Sequence, residues 1–96
     1  MDIDYTIHMK SKAIIFDLDG TAINSPDQKL PSNRLIEACI KLGKDHFLCA
    51  ATGRSWTFAK PVLQALRLED FSIIAGGTQI CDPQSGLVSW QENIPQ

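Results

Sequence analysis

The sequence predicts an α/β fold: a partial Rossmann-like three-layer core with a parallel sheet of about three strands, two helices and a C-terminal β-hairpin. Three observations predict it. Apolar runs occur at 13–16, 46–51 and 71–75, and such uninterrupted runs mark strands buried on both faces of a parallel sheet. Segments with helical spacing of apolar residues lie between them. Polar, chemistry-bearing residues arrive at the ends of the first two runs, Asp17-Leu18-Asp19-Gly20-Thr21 and Thr52-Gly53-Arg54, and in open α/β sheets ligands bind outside the carboxyl ends of the strands.

At 96 residues and 44% hydrophobic content the chain makes one domain, 1–96, with a modest core. A net charge of −2 gives no electrostatic case for nucleic acid or an anionic membrane. No apolar run approaches the roughly 18 residues of a membrane span. The start, Met1-Asp2-Ile3-Asp4-Tyr5, carries acids where a secretory signal carries basic residues, so a cytoplasmic protein is expected. Cys39, Cys49 and Cys81 are odd in number and widely spaced, which fits reduced, mostly buried thiols rather than structural zinc or a disulfide framework.

Residues 1 to about 12 show no sustained period and read as a lead-in, with Tyr5 and Ile7 touching the body and His8 exposed and inert. After the first strand, 22–30 is polar and contains Pro26, a loop beside the site. Pro31-Ser32-Asn33 opens a helix by position and capping chemistry. Leu35, Ile36, Cys39, Ile40 and Leu42 recur along it, and Gly43 stops it. The second strand, 46–51, carries His46 at the end away from the chemistry, in a structural role.

Ser55 caps a second helix with Phe58, Ala59, Val62, Leu63 and Leu66 on one face. Pro61 either kinks it or delays its regular part to near Lys60. Trp56 and Phe58, at helical spacing, read as core. The third strand, 71–75, ends in Gly76-Gly77-Thr78. Beyond it 79–82 and 87–90 flank the turn-rich 83–86 and read as a hairpin. Right-handed crossovers stepping in one direction put both helices on one face of the sheet. The other face is then left bare, an apolar patch of several hundred Å². The rest of a longer protein, a second copy or an exchanged segment must cover it. A longer protein is favoured, with homo-oligomerisation the response of the chain in isolation.

The first motif has a chemical reading. A carboxylate becomes a competent nucleophile toward phosphorus once positive charge neutralises the phosphoryl oxygens, since phosphoryl transfer depends mainly on positioning and electrostatics. A second carboxyl two residues on can protonate a leaving oxygen and later activate water. Gly20 permits the sharp turn between them, and Thr21 can fix that turn through its hydroxyl.

Phe16-Asp17-Leu18-Asp19-Gly20-Thr21 resembles the first signature of the haloacid dehalogenase superfamily of phosphohydrolases. The resemblance implies that Asp17 attacks phosphorus and that Asp19 is the general acid and base. It also implies that Mg²⁺ is held by the Asp17 carboxylate and the Asp19 carbonyl. Thr52, 35 positions after Asp17, matches the second signature, a hydroxyl residue that with its neighbouring amides holds a phosphate oxygen. Thr52-Gly53-Arg54 is similar to the form common in the Cof-like, capped sugar-phosphatase branch, where Arg54 would add charge toward the substrate. That branch follows its third strand with Asn-Gly-Ala, a hairpin and an inserted cap. This chain has Gly76 in the asparagine's place, and 92–96 would begin the cap linker.

The resemblance spans nearly all of 13–96 but only the first part of the family pattern. The third signature, a lysine, and the fourth, an acidic pair, have no counterpart, because neither Lys60 nor Asp70 follows a suitable apolar run. The expectation is therefore a Mg²⁺-dependent phosphatase for a small phosphate monoester, a sugar phosphate in class, with little activity in this chain alone. A sugar phosphomutase of the same superfamily and a non-catalytic phosphate-binding or assembly module are the alternatives. A phospho-acceptor receiver domain fits poorly, since its acceptor belongs on the third strand.

Overall fold

A computed structural model describes residues 12–25 and 27–92. The expected lead-in with Tyr5, Ile7 and His8, the loop's Pro26 and most of the cap linker lie outside the described residues. The elements are β1 (Lys12–Asp17), α1 (Asn33–Leu42), β2 (His46–Ala51), α2 (Trp56–Ala65), β3 (Ser72–Ile74), a 3₁₀ turn (Ala75–Gly77), β4 (Gln79–Cys81) and β5 (Val88–Gln91). They form one five-stranded sheet in the order β1-β2-β3-β4-β5. The first three strands are parallel, and β4 and β5 return antiparallel as the expected hairpin.

Local chemistry accounts for the element ends. The Ser32 hydroxyl accepts the Leu35 amide at 3.2 Å, which caps α1. Gly43 closes the helix in a right-handed conformation, its N–H turned back to the carbonyls of Cys39 and Lys41, so no left-handed stop is needed. His46 Nδ1 lies 3.2 Å from the Leu42 carbonyl at the same helix end, a structural place far from the chemistry. Pro61 sits inside α2, which nevertheless starts at Trp56 rather than near Lys60. A proline lacks the N–H that would bond back four residues, and the helix continues past this one missing bond to Ala65.

Side chains alternate across the sheet, and the described helices cover one face of it. Leu48, Ala50, Ser72, Ile74 and Cys81 are buried with Ala59, Val62, Leu63 and Leu66 of α2 and Cys39 of α1. The strand residues between them, Ile15, Phe47, Ile73, Ile80 and Trp90, share the other face by the paired register. The described residues thus form one helix layer and the sheet, part of the three-layer core.

Four expectations need correction. β1 is not buried on both faces: Ile15 is 62% exposed, because both described helices pack on the opposite face of the sheet. Phe58 is 70% exposed rather than core, while Trp56 does pack against the core. Ile40 and Leu42 lie on α1's partly uncovered flank, so the helix buries less than its apolar spacing suggests. Finally, 22–30 is not wholly a solvated loop. Ala22 and Ile23 are buried in the core, drawn in by backbone bonds Gly20 N to Ile23 O and Ile23 N to Leu18 O, both 2.7 Å.

Candidate active site

The β1–β2 register decides the geometry. Asp17 pairs with Ala51 at the carboxyl ends of the two strands, so Thr52, the next residue, stands beside the end of β1. Beyond Asp17 the chain buries Leu18 completely and turns at Gly20, whose φ of +86° is left-handed and favours glycine. The turn is held by backbone bonds, including Thr21 N to Leu18 O at 3.3 Å. The Thr21 hydroxyl plays no part in it among the described residues. Asp17 and Asp19 are both exposed.

The segment after β2 is fixed from three sides. Thr52 N donates to Ile73 O at 2.9 Å, Gly76 N to Thr52 O at 3.2 Å, and Ala75 N to Arg54 O at 2.7 Å. Ala75, Gly76 and Gly77 all have positive φ, so β3 ends in a tight left-handed turn that delivers those amides. Gly76, where the capped branch has asparagine, therefore contributes its backbone. The Thr52 side chain is buried, and its hydroxyl oxygen accepts the Arg54 amide at 3.1 Å. Its own hydrogen stays free to donate. Ser55 opens α2 with no side-chain capping bond, and although its carbonyl accepts the N–H groups of Phe58 and Ala59, those of Trp56 and Thr57 have no acceptor among the described residues.

Arg54 joins the two motifs. Its Nε donates to Asp19 Oδ2 at 3.0 Å and its Nη2 to Oδ1 at 2.5 Å, a bidentate ion pair, while Nη1 donates to the Phe58 carbonyl at 3.2 Å. The Arg54 guanidinium holds the Asp19 carboxyl below the usual carboxylate range, chiefly by hydrogen bonding, and Asp19 raises Arg54 in return. Asp17, by contrast, has no hydrogen-bond or ion-pair partner among the described residues.

The structure thus brings Asp17, Asp19, Gly20, Thr21, Thr52, Gly53 and Arg54 to one end of the sheet. It also adds residues that sequence reasoning missed. A cleft of about 270 Å³ is lined by Asp19, Gly20, Ile23, Asn24, Ser25, Gln28 and Arg54. Gln28 braces its wall, accepting from Asn24 N at 2.9 Å and donating to the carbonyls of Ala22 and Leu30. A lone glutamine in a polar stretch carries no signal of that role. A larger cleft, about 490 Å³, opens at the amino end of the strands between Gly43, Lys44 and Arg67 and holds none of these residues. Asp70 lies there, its Oδ2 accepting Leu48 N at 2.9 Å, so it serves the scaffold. Burial pushes the thiols of Cys39, Cys49 and Cys81 up, which makes them poor nucleophiles.

No group of three or more His, Cys, Asp or Glu gathers among the described residues. The Asp17 carboxylate and the Asp19 carbonyl are hard oxygen donors, and Mg²⁺ commonly takes one or two carboxylates with water and phosphate completing its octahedron. The residues present fit such a weakly held, water-rich ion.

A family model described as haloacid dehalogenase-like hydrolase matches residues 14–96. The chain belongs to this family. None of the curated proteins matches it, but solved structures do. One is a haloacid dehalogenase-like hydrolase from Bacteroides thetaiotaomicron, 28% identical, with TM-score 0.73, over 88% of this chain and 32% of that one. Another, from the same organism, belongs to the phosphatases of the haloalkanoate superfamily: 23% identity, TM-score 0.70, 97% of this chain and 33% of that one. A hypothetical protein from Geobacillus kaustophilus HTA426 matches at 23% identity and TM-score 0.68, over 84% and 30%. The chain spans about a third of the length of these structures. No helix among the described residues is long and apolar enough to cross a membrane.

Proposed function

We propose that the chain is the nucleophile-bearing part of a cytoplasmic, Mg²⁺-dependent phosphatase acting on a small phosphate monoester, a sugar phosphate in class. One observation supports the reading: β1 and β2 end together, so that Asp17, the last residue of β1, and Thr52, the first after β2, stand at the same end of the sheet, where Arg54 reaches Asp19. Similarity in fold to the Bacteroides phosphatase that matches 97% of the chain also supports it.

In this reading an Asp17 oxygen attacks phosphorus and the bond to the leaving oxygen breaks, while Asp19, which must first leave Arg54 and take up a proton from solvent or from the substrate's phosphate monoanion, passes that proton to the leaving oxygen. Water then attacks the aspartyl-phosphate, Asp19 takes the water's proton, and the phosphorus–oxygen bond to Asp17 breaks to release inorganic phosphate. The Thr52 hydroxyl, the Gly53 amide and the uncapped amino end of α2 hold the phosphoryl oxygens. Gly20 and Thr21 shape the turn beside them. The Asp17 carboxylate and Asp19 carbonyl would hold Mg²⁺, which neutralises phosphoryl charge when bound.

Beryllofluoride, which mimics a phosphoryl group on aspartate, tests the acceptor without requiring turnover. With Mg²⁺ the chain is expected to show a bound fluorine NMR signal that Asp17→Asn abolishes. A signal that survives the substitution defeats the reading. The second reading, a non-catalytic phosphate-binding module, is favoured by one observation: Arg54 occupies both oxygens of the acid-base candidate. It predicts phosphate binding without the beryllofluoride adduct.

A further inference from the structure

Asp19 and Arg54 are both needed by the proposed chemistry, yet in this structure each is committed to the other. Both Asp19 oxygens face the guanidinium, so neither faces a leaving group. The Nε–Nη2 edge, the fork best suited to a phosphate, is the edge spent on Asp19. A third N–H of Arg54 is spent on the Phe58 carbonyl, which tethers the side chain to the first turn of α2. The hydrogen of the Thr52 hydroxyl and the N–H groups of Trp56 and Thr57 at the start of α2, by contrast, have no acceptor among the described residues. The site is thus half open to an anion and half closed by its own carboxylate.

We infer that the Asp19–Arg54 pair is a latch that the substrate's phosphate opens. A phosphate dianion held by Thr52 and Gly53 takes over the Nε–Nη2 edge of Arg54, and the Asp19 carboxyl released by this exchange turns to the leaving oxygen. The inference rests on the phosphate reading of the site and adds to it an order of events. The exchange runs toward phosphate because the present pair is exposed and screened by solvent. The incoming ligand carries twice the charge and gains hydrogen bonds from Thr52, Gly53 and α2 that a carboxylate at position 19 does not make. The tether to Phe58 keeps Arg54 beside the site through the exchange, so the guanidinium changes partner without leaving. Arg54 is in this sense a positioning residue for Asp19 as well as a phosphate contact.

The test is titration of the chain with inorganic phosphate, followed by ¹⁵N NMR at the Arg54 Nε–H and at the Thr52 and Gly53 amides. The three signals are expected to move together with one midpoint. Asp19→Asn, which frees the guanidinium in advance, is expected to tighten phosphate binding by on the order of fivefold. That gain should vanish when Arg54→Gln is combined with it. Arg54→Gln retains a donor for the Phe58 carbonyl, and a matching amide spectrum shows that the variant is folded.

If Thr52 and Gly53 respond while Arg54 Nε–H stays fixed, the site binds phosphate and the latch is wrong. An equal gain from Asp19→Asn in the Arg54→Gln background also overturns the latch, since the carboxylate then acts through simple repulsion. No response at Thr52 or Gly53 at tens of millimolar phosphate removes the phosphate reading and the latch together.

Discussion

A carboxylate whose two oxygens both accept from one guanidinium gives up its charge reluctantly, and Asp19 has that environment through Arg54. Asp82 reaches a similar state by another route: its Oδ1 accepts the amides of Gln84 at 2.8 Å and Ser85 at 3.0 Å. Both carboxyls are lowered in the fold, so between their folded and unfolded values the unfolded chain binds more protons. Their contribution to stability is therefore complete above the ordinary carboxylate range and is lost as pH falls through the folded values. Urea melts at a series of pH values from neutral to strongly acid should show Asp19→Asn with Asp82→Asn flattening the acid limb relative to wild type. An unchanged slope would mean that neither pair influences folding. The residue scale is also where sequence reading reached least. Asp17 and Thr52 were legible because each ends an apolar run, whereas the pairing of Arg54 with Asp19 joins positions 35 apart and depends on a side-chain direction that no period encodes.

Elements were legible where burial on one face imposes a period. β2 and α1 came out with nearly the bounds their patterns suggest, because Leu48 and Ala50 or Leu35, Ile36 and Cys39 meet one core. Phe58 misled because a helix near its amino end can carry an apolar residue toward a site mouth as easily as toward the core, and spacing alone does not separate the two. Ala22 and Ile23 were hidden for the opposite reason: two apolar residues in a polar stretch make no periodic signal, and a backbone turn buries them. The hairpin offers the sharpest test at this scale. Gly86 ends its turn with φ of +78°, and a Cβ there would stand 2.7 Å from the Trp56 indole Nε1. Trp56 packs against the core and has little room to withdraw. Gly86→Ala thus combines left-handed strain with overpacking and is expected to destabilise by about 2 kcal/mol in urea unfolding. Gly76→Ala at φ +66°, with open space around its Cβ, should cost only about 1 kcal/mol. Equal costs would show that the hairpin's contact with α2 is dispensable.

For the whole molecule, the sheet with helices on one face leaves Ile15, Phe47 and Trp90 exposed by 62%, 43% and 45% on the other, with Ile73 and Ile80 between them. Five strands about 4.8 Å apart make this an apolar field roughly 24 Å wide, and Asp17 stands only at its rim. Of the covers considered from sequence, a second copy is the one that a pure solution of this chain supplies. Its identical face matches in width, twist and chemistry. We propose that two such sheets meet face to face, aligned within about 30° and related by a two-fold axis, as sheets do in sandwiches. Sedimentation across a concentration series should then show a monomer–dimer equilibrium, and Trp90 fluorescence should shift to the blue as the dimer forms. Ile15→Lys places a charge on edge strand β1 of each copy, twice within the contact by the two-fold, and should return the chain to monomer with its far-ultraviolet circular dichroism intact, because Ile15 contributes little to the core. A wild-type chain that stays monomeric at hundreds of micromolar, or a dimer indifferent to Ile15→Lys, would rule this face out as the place where copies meet.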